Sequence, residues 1–147
     1  MGMRQARRSD VRRIVEMLAD DHLGKARESL DDMTPYEAAF DAIAADPHNS
    51  LWVWDEGGRV VGCLQLTFLP GLSQKGAWRA QVEGVRVDST LRGSGIGNKM
   101  MIEAMRMSRE RGCGQMQLTS DKSRLDAHRF YEKLGFKKSH EGMKAKL

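Results

Sequence analysis

The sequence predicts a mixed α and β domain: a central, mostly antiparallel, twisted sheet of six to seven strands flanked by about four helices. Three observations carry this expectation. Apolar residues recur at helical spacing in four separate stretches, with alternating or β-branched runs between them. Glycine, proline and aspartate mark nearly every change of pattern. At 147 residues the chain has room for one hydrophobic core, so a single domain over residues 1–147 is expected, without repeats or internal linkers.

Residues 3–7 read as a short opening strand. Ser9 and Asp10 then supply N-cap chemistry for a helix that carries Val11, Ile14, Val15 and Leu18 on one face. That pattern fades near Gly24. Thr34-Pro35-Tyr36-Glu37 has the form of a capping box with proline at the first helical position. Phe40 and Ile43 continue this second helix until Asp46-Pro47 stops it. Two runs, 51–54 and 59–68, flank a glycine turn at 55–58 and read as a hairpin. Residues 70–76 form a loop, and 78–88 a strand with Val82, Val85 and Val87 as β-branched members. Gly84 lies inside that strand, where glycine marks a bulge. A helix over about 95–111 carries Ile96, Met100, Met101, Ala104 and Met107 on one face, with Gly112 at its C-cap. A short strand at 116–119, a helix at 126–134 ended by Gly135, and a last hairpin from 136–138 and 143–147 complete the order.

Composition narrows the function classes. Hydrophobic residues make up 40% of the chain and charged residues 30%, as in an ordinary globular protein. No apolar run approaches the ~18 residues of a membrane span. The N-terminal stretch lacks the apolar segment of a signal peptide, so a cytoplasmic protein without membrane contact is expected. Cys63 and Cys113 stand far apart in no metal or redox spacing, which fits two reduced thiols. The net charge is +4, with acids concentrated over residues 20–32 and bases dominating from Arg106 onward. A basic half suits a polyanion, either nucleic acid or a phosphate-rich cofactor. No interleaved aromatic platform accompanies the bases, which argues against nucleic acid.

The informative segment runs from Val85 to Lys99. A Val-x-Val strand enters a turn containing Gly93, Gly95 and Gly97, and an amphipathic helix begins there. Amide groups at a helix start lack intrahelical partners, and the helix dipole adds positive charge, so a phosphate can sit on them. Arg92 adds a charged donor. A dinucleotide fingerprint would need glycine at Asn98, and a Walker loop would need glycine directly before Lys99, so both patterns fail. Arg-x-x-Gly-x-Gly is satisfied by Arg92, Gly95 and Gly97. A second segment, Ala127-His128-Arg129-Phe130-Tyr131 with Gly135-Phe136, follows at suitable spacing. In both segments, and in element order over nearly the whole chain, the sequence resembles the GNAT superfamily of acetyl-CoA-dependent N-acetyltransferases.

The resemblance implies a site residue by residue. Val85, Arg86 and Val87 take the place of the strand that binds the pantetheine arm of acetyl-CoA. Arg92, Gly93, Ser94, Gly95, Ile96, Gly97 and Asn98 take the place of the pyrophosphate turn. A backbone N–H near Val85 would face the thioester oxygen. Tyr131 matches the tyrosine that protonates the departing thiolate. Glu83 is the candidate base, directly or through water, and alternation places it on one face with Gln81 and Val85. His128 is a rival only if it points into the cleft. Arg124 stands where many family members carry a pantetheine-binding asparagine, and is expected to bind a cofactor phosphate instead. No metal is implied.

The expected reaction is direct acetyl transfer to a primary amine in a ternary complex, since no cysteine lies near the motifs. The acidic segment at 20–32 would favour a cationic small-molecule or peptide acceptor. Homodimers are common among proteins of this type, although no residue pattern here fixes one. The alternative is a non-catalytic acyl-CoA sensor, against which the joint presence of Tyr131 and Glu83 argues.

Overall fold

The computed structural model describes residues 1–147. Its centre is one sheet of five strands in the order β1 (Gly2–Gln5), β2 (Asn49–Glu56), β3 (Arg59–Leu69), β4 (Trp78–Val87) and β5 (Cys113–Gln117). The first four run antiparallel to their neighbours, and β5 lies parallel to β4. Gly57 and Gly58 turn the β2–β3 hairpin at φ +61° and +93°, values that side chains resist. The Asp55 carboxylate accepts from the Gly58 N–H at 2.7 Å and closes that turn.

Helices α1 (Val11–Ala19), α2 (Gly24–Arg27), α3 (Thr34–Ala45), α4 (Ser73–Gly76), α5 (Ile96–Glu110) and α6 (Leu125–Lys133) complete the chain, with α2 a single turn and α4 a tight turn in which Gln74 and Lys75 take left-handed φ of 55° and 62°. Helix α5 lays Ile96, Met100, Met101 and Ala104 on Leu64, Leu66, Phe68, Ala80 and Val82 of the sheet. Burying each such methionine or leucine side chain stabilises the fold by about 1.5–3 kcal/mol. Gly62 makes the close approach possible, because a Cβ there would lie 2.6 Å from the Met100 sulfur. On the opposite face, Ile14 and Met17 of α1 pack on Val53, Val60 and Cys63.

Several sequence expectations are corrected. The last two strands do not form, so the sheet has five strands rather than six or seven. The Phe136 N–H instead donates to the Tyr131 carbonyl at 3.1 Å, and its ring packs edge-on against Tyr131. That local closure of α6 keeps residue 136 from extending, and Lys137 and Lys138 follow it into solvent. Strand β5 starts at Cys113, earlier than its apolar content suggested. Asp10 does not cap α1. It accepts from the Arg7 N–H at 2.7 Å and pairs with Arg4, which ties the chain after β1 to its start. Thr34 forms no capping box either: its N–H donates to the Asp32 carboxylate, one position earlier in the helix start.

Candidate active site

Strands β4 and β5 part company. Their pairing covers Trp78 to Gln81 on β4 and ends at Gln117 on β5, while β4 continues to Val87 paired with β3 alone. Near the parting, the β3–β4 register slips between Cys63 and Gln65, and Gly84 adopts φ +61°. Such a bulge inverts side-chain alternation. Ala80 and Val82 face α5 before it, whereas Val85 and Val87 face α5 after it. Glu83 therefore does not share a face with Val85, contrary to simple alternation. It is exposed on the α1 side of the sheet, across from Gln65. The Gly84 Cα faces the same way, since a Cβ there would touch Leu18 of α1.

Beyond Val87, Asp88 fixes the path into the glycine turn. Its buried carboxylate accepts from the Thr90 N–H at 2.9 Å and the Thr90 hydroxyl at 2.6 Å, and pairs with Arg13 of α1 and with Arg59. These hydroxyl and amide donors, with both guanidiniums, hold its pKa down at about 2 against the desolvation that opposes them. Gly93 and Gly95 follow at φ +82° and +88°, with open space where a Cβ would be. The N–H groups of Gly93, Gly95, Ile96, Gly97 and Asn98 donate to no protein acceptor. They form a row of free donors at the N-terminus of α5, where the helix dipole is positive. Gly97 lies within α5 and does not share the positive φ of Gly93 and Gly95. A Cβ there would lie 3.4 Å from the Phe130 ring and 3.6 Å from Val87, which places Gly97 at the junction of α5 with α6 and β4. Arg92, Ser94 and Asn98 are exposed along the turn, and Arg92 leans toward the Asp20 carbonyl at 3.4 Å.

Tyr131 projects from α6 between Phe130 and Phe136, with ring centroids 5.1 and 5.8 Å away. Its hydroxyl makes no hydrogen bond within the protein. Burial pushes the phenol pKa up, and the fields of Arg86 and Arg124 oppose that rise, which brings both guanidiniums into the tyrosine's electrostatic neighbourhood. These arginines meet at Asp21, whose Oδ2 lies 3.2 Å from Arg86 Nε and 2.9 Å from Arg124 Nη1. Desolvation works against the Asp21 charge, but the Gly24 N–H and the two arginines prevail and hold its pKa near about 2. His128 points its Nε2 at the Asp121 carbonyl, 2.9 Å away, which makes that nitrogen the donor and leaves the buried Nδ1 unpaired.

Asp21 and Asp88 escaped the sequence reading. Asp21 was seen only as one acid among five, although its neighbour Gly24 hinted at a tight, close-packed turn. The acidic stretch is divided: Asp21, Glu28 and Asp32 are engaged by Arg86 and Arg124, Tyr36 and Thr34 respectively, while Asp20, Asp31 and Asp32 are exposed. Trp52, Trp54 and Trp78 all pack against the main core. Both cysteines are free thiols, Cys63 buried and Cys113 half-buried. No group of three or more His, Cys, Asp or Glu side chains is arranged to hold a metal ion. No helix is long and apolar enough to cross a membrane.

The chain is similar to several known proteins. Residues 11–136 match the family described as the Acetyltransferase (GNAT) family. A glucosamine 6-phosphate N-acetyltransferase of Trypanosoma brucei brucei is 34% identical over 90 residues, which cover 61% of this chain and 59% of that protein. An aminoalkylphosphonate N-acetyltransferase of Salmonella typhimurium is 31% identical over 116 residues, covering 77% of this chain and 75% of that one. Among solved structures, a protein of Bacillus halodurans C-125 described as a transcriptional regulator superposes with a TM-score of 0.95 at 48% identity, over 99% of this chain and 98% of that chain.

Proposed function

Because the chain belongs to the GNAT acetyltransferase family, we propose that it transfers the acetyl group of acetyl-CoA to the primary amine of a small molecule, by direct attack within a ternary complex. The observation that carries this reading is the row of free amides at Gly93 and Gly95 to Asn98, opening at the cleft where β4 and β5 diverge. A pyrophosphate on that row suits both the charge and the shape of the turn. The unpaired edge of β4 along Val85–Val87 offers main-chain groups to an amide-bearing arm, as another strand would. Acetyl-CoA supplies an activated acyl group.

Each residue then has a task. The Val85 N–H donates to the oxygen on which negative charge develops during attack. Tyr131 holds a proton at its hydroxyl for the departing sulfur, and its raised pKa keeps that proton in place at neutral pH. Glu83, exposed beside the bulge, accepts the proton of the incoming ammonium through water. The amine nitrogen bonds to the acyl carbon, the carbon–sulfur bond breaks, the sulfur leaves with the proton from Tyr131, and the second surplus proton on nitrogen returns to the tyrosinate to give the neutral amide. The relatives whose names specify an acceptor act on amines, and the same class is assigned here.

The test measures CoA thiol release over a panel of amines for the wild type and Tyr131→Phe. Loss of a general acid lowers kcat by about 10²–10⁴-fold. The KM for acetyl-CoA should stay within about twofold, and the melting temperature should hold, because the hydroxyl makes no internal hydrogen bond. A phenylalanine variant with wild-type kcat removes the acid role. Binding of acetyl-CoA without turnover of any amine would favour a sensor instead.

A further inference from the structure

We infer that Arg86 and Arg124, splinted by Asp21, form a binding pair for a phosphate or phosphonate group on the acceptor. The inference rests on the acetyl-transfer reading and names the class of its second substrate: an amine that carries a tetrahedral oxyanion.

The pair is built rather than incidental. Asp21 Oδ1 accepts from the Leu23 and Gly24 N–H groups, so the carboxylate is anchored to its own loop. That loop cannot relax easily, since a Cβ on Gly24 would lie 1.9 Å from the Leu18 carbonyl oxygen. Ion pairing of Arg27 with Asp121 and contact of His22 with Ser123 tie the same loop to the approach to α6. The side chains of Asp21, Arg86 and Arg124 are only 12%, 21% and 18% exposed. One carboxylate against two guanidiniums leaves a net charge of one positive in a nearly closed site.

The donors are also in excess. Arg86 Nη1 donates to the Val85 carbonyl at 2.9 Å, and Arg124 Nη1 meets Asp21. Arg86 Nε and Asp21 Oδ2 are buried at ion-pair distance without a directed hydrogen bond, so a buried donor is left unsatisfied. Arg86 Nη2 and the Nε and Nη2 of Arg124 have no protein acceptor at all. A planar guanidinium with free N–H pairs matches a tetrahedral oxyanion in bidentate fashion.

Charge then selects the acceptor. An ammonium close to this excess charge would be repelled by it. A polycation is therefore the wrong partner, and the same field favours the neutral, nucleophilic form of the amine. An oxyanion elsewhere on the molecule offsets the repulsion. The free amides of the glycine turn already suit the cofactor's phosphates, and Arg86 lies on the face of β4 turned away from α5.

The experiment compares acceptors matched in their amine: 2-aminoethylphosphonate against ethanolamine, and glucosamine 6-phosphate against glucosamine, with spermidine as the cation. A site with dedicated donors rejects an analogue lacking the acceptor group strongly, so kcat/KM should favour each oxyanion by at least about 100-fold. Arg124→Gln should cut that ratio at least tenfold through the acceptor KM, with Arg124→Lys recovering part of it and the acetyl-CoA KM moving less than twofold. Asp21→Asn, acting on a positioning residue, should raise the acceptor KM more than it lowers kcat. Equal or better turnover of ethanolamine or spermidine overturns the inference while leaving acetyl transfer standing. A rise in acetyl-CoA KM in Arg124→Gln would reassign the arginine to the cofactor and overturn it too. Calorimetric titration of 2-aminoethylphosphonate and ethanolamine into the CoA-bound wild type decides the matter without turnover or variants: preferential binding of the phosphonate supports the pair, and equal or absent binding rejects it.

Discussion

Asp88 joins stability to cofactor binding, and Asp88→Ala separates its contributions. The substitution removes the acceptor for the Thr90 N–H, a capping contact of about 1 kcal/mol. It removes the bond from the Thr90 hydroxyl, worth about another 1 kcal/mol. It also strands Arg13, 29% exposed, beside an empty site; solvent screening limits this to about 1 kcal/mol, and the 64% exposed Arg59 adds almost nothing. Together these amount to about 3 kcal/mol, or a fall in Tm of about 6–12 °C for a domain of this size. The freed segment leads straight into Gly93–Asn98, so the amide row should lose its aim. Acetyl-CoA binding measured by calorimetry should weaken about tenfold, equivalent to about 1.4 kcal/mol. A Tm within 2 °C of the wild type would refute the clamp, and an unchanged Kd with a lowered Tm would show that the turn holds itself. Thr90→Val, which keeps the amide bond, should produce about a third of the stability loss.

Two further outcomes follow from the same structure. Asp21 and Asp88 both have folded-state pKa values near about 2, below their ordinary value of 3.8. Their stabilisation is thus fully present above about pH 4 and lost as the pH falls toward 2, which acid unfolding monitored by circular dichroism should show as a limb that Asp88→Ala diminishes. Burial pushes the Cys63 thiol up to about 12, so under native conditions a thiol reagent should modify Cys113 first and reach Cys63 only on unfolding; equal labelling rates would contradict the packing under α1.

The parts that sequence made legible are those dictated by local chemistry. The face of α5 was readable because Ile96, Met100, Met101 and Ala104 repeat at helical spacing, and Gly112 and Gly135 end their helices at positive φ as glycines there should. The phosphate turn was readable because only glycine tolerates φ near +85° at positions 93 and 95. Long-range pairing was not readable. Nothing around residue 21 announces a partner 65 or 103 positions away, because an ion pair leaves no periodic trace. The last two strands failed for a related reason. Residues 136–147 carry enough alternation to suggest extension, but the Tyr131 carbonyl captured the Phe136 amide first. Capping went wrong at both early helices, where Asp10 and Thr34 had alternative partners closer to hand than the positions their types suggested.

The slip at Gly84 sets the phase of everything downstream on β4. Val85 and Val87 pack under α5 while Arg86 and Asp88 turn to partners on the other side, Asp21 and Arg13, because the strand bulges to absorb one extra residue. Regular alternation through all of these residues would drive Arg86 under α5 and Val85 and Val87 out into water, whereas deleting the glycine would set Val85 directly opposite Leu64 and leave each later side chain on the face it already has. The phase of the strand is thus a property of the bend at Gly84, whose φ of +61° a β-branched side chain would resist, and not of strand length.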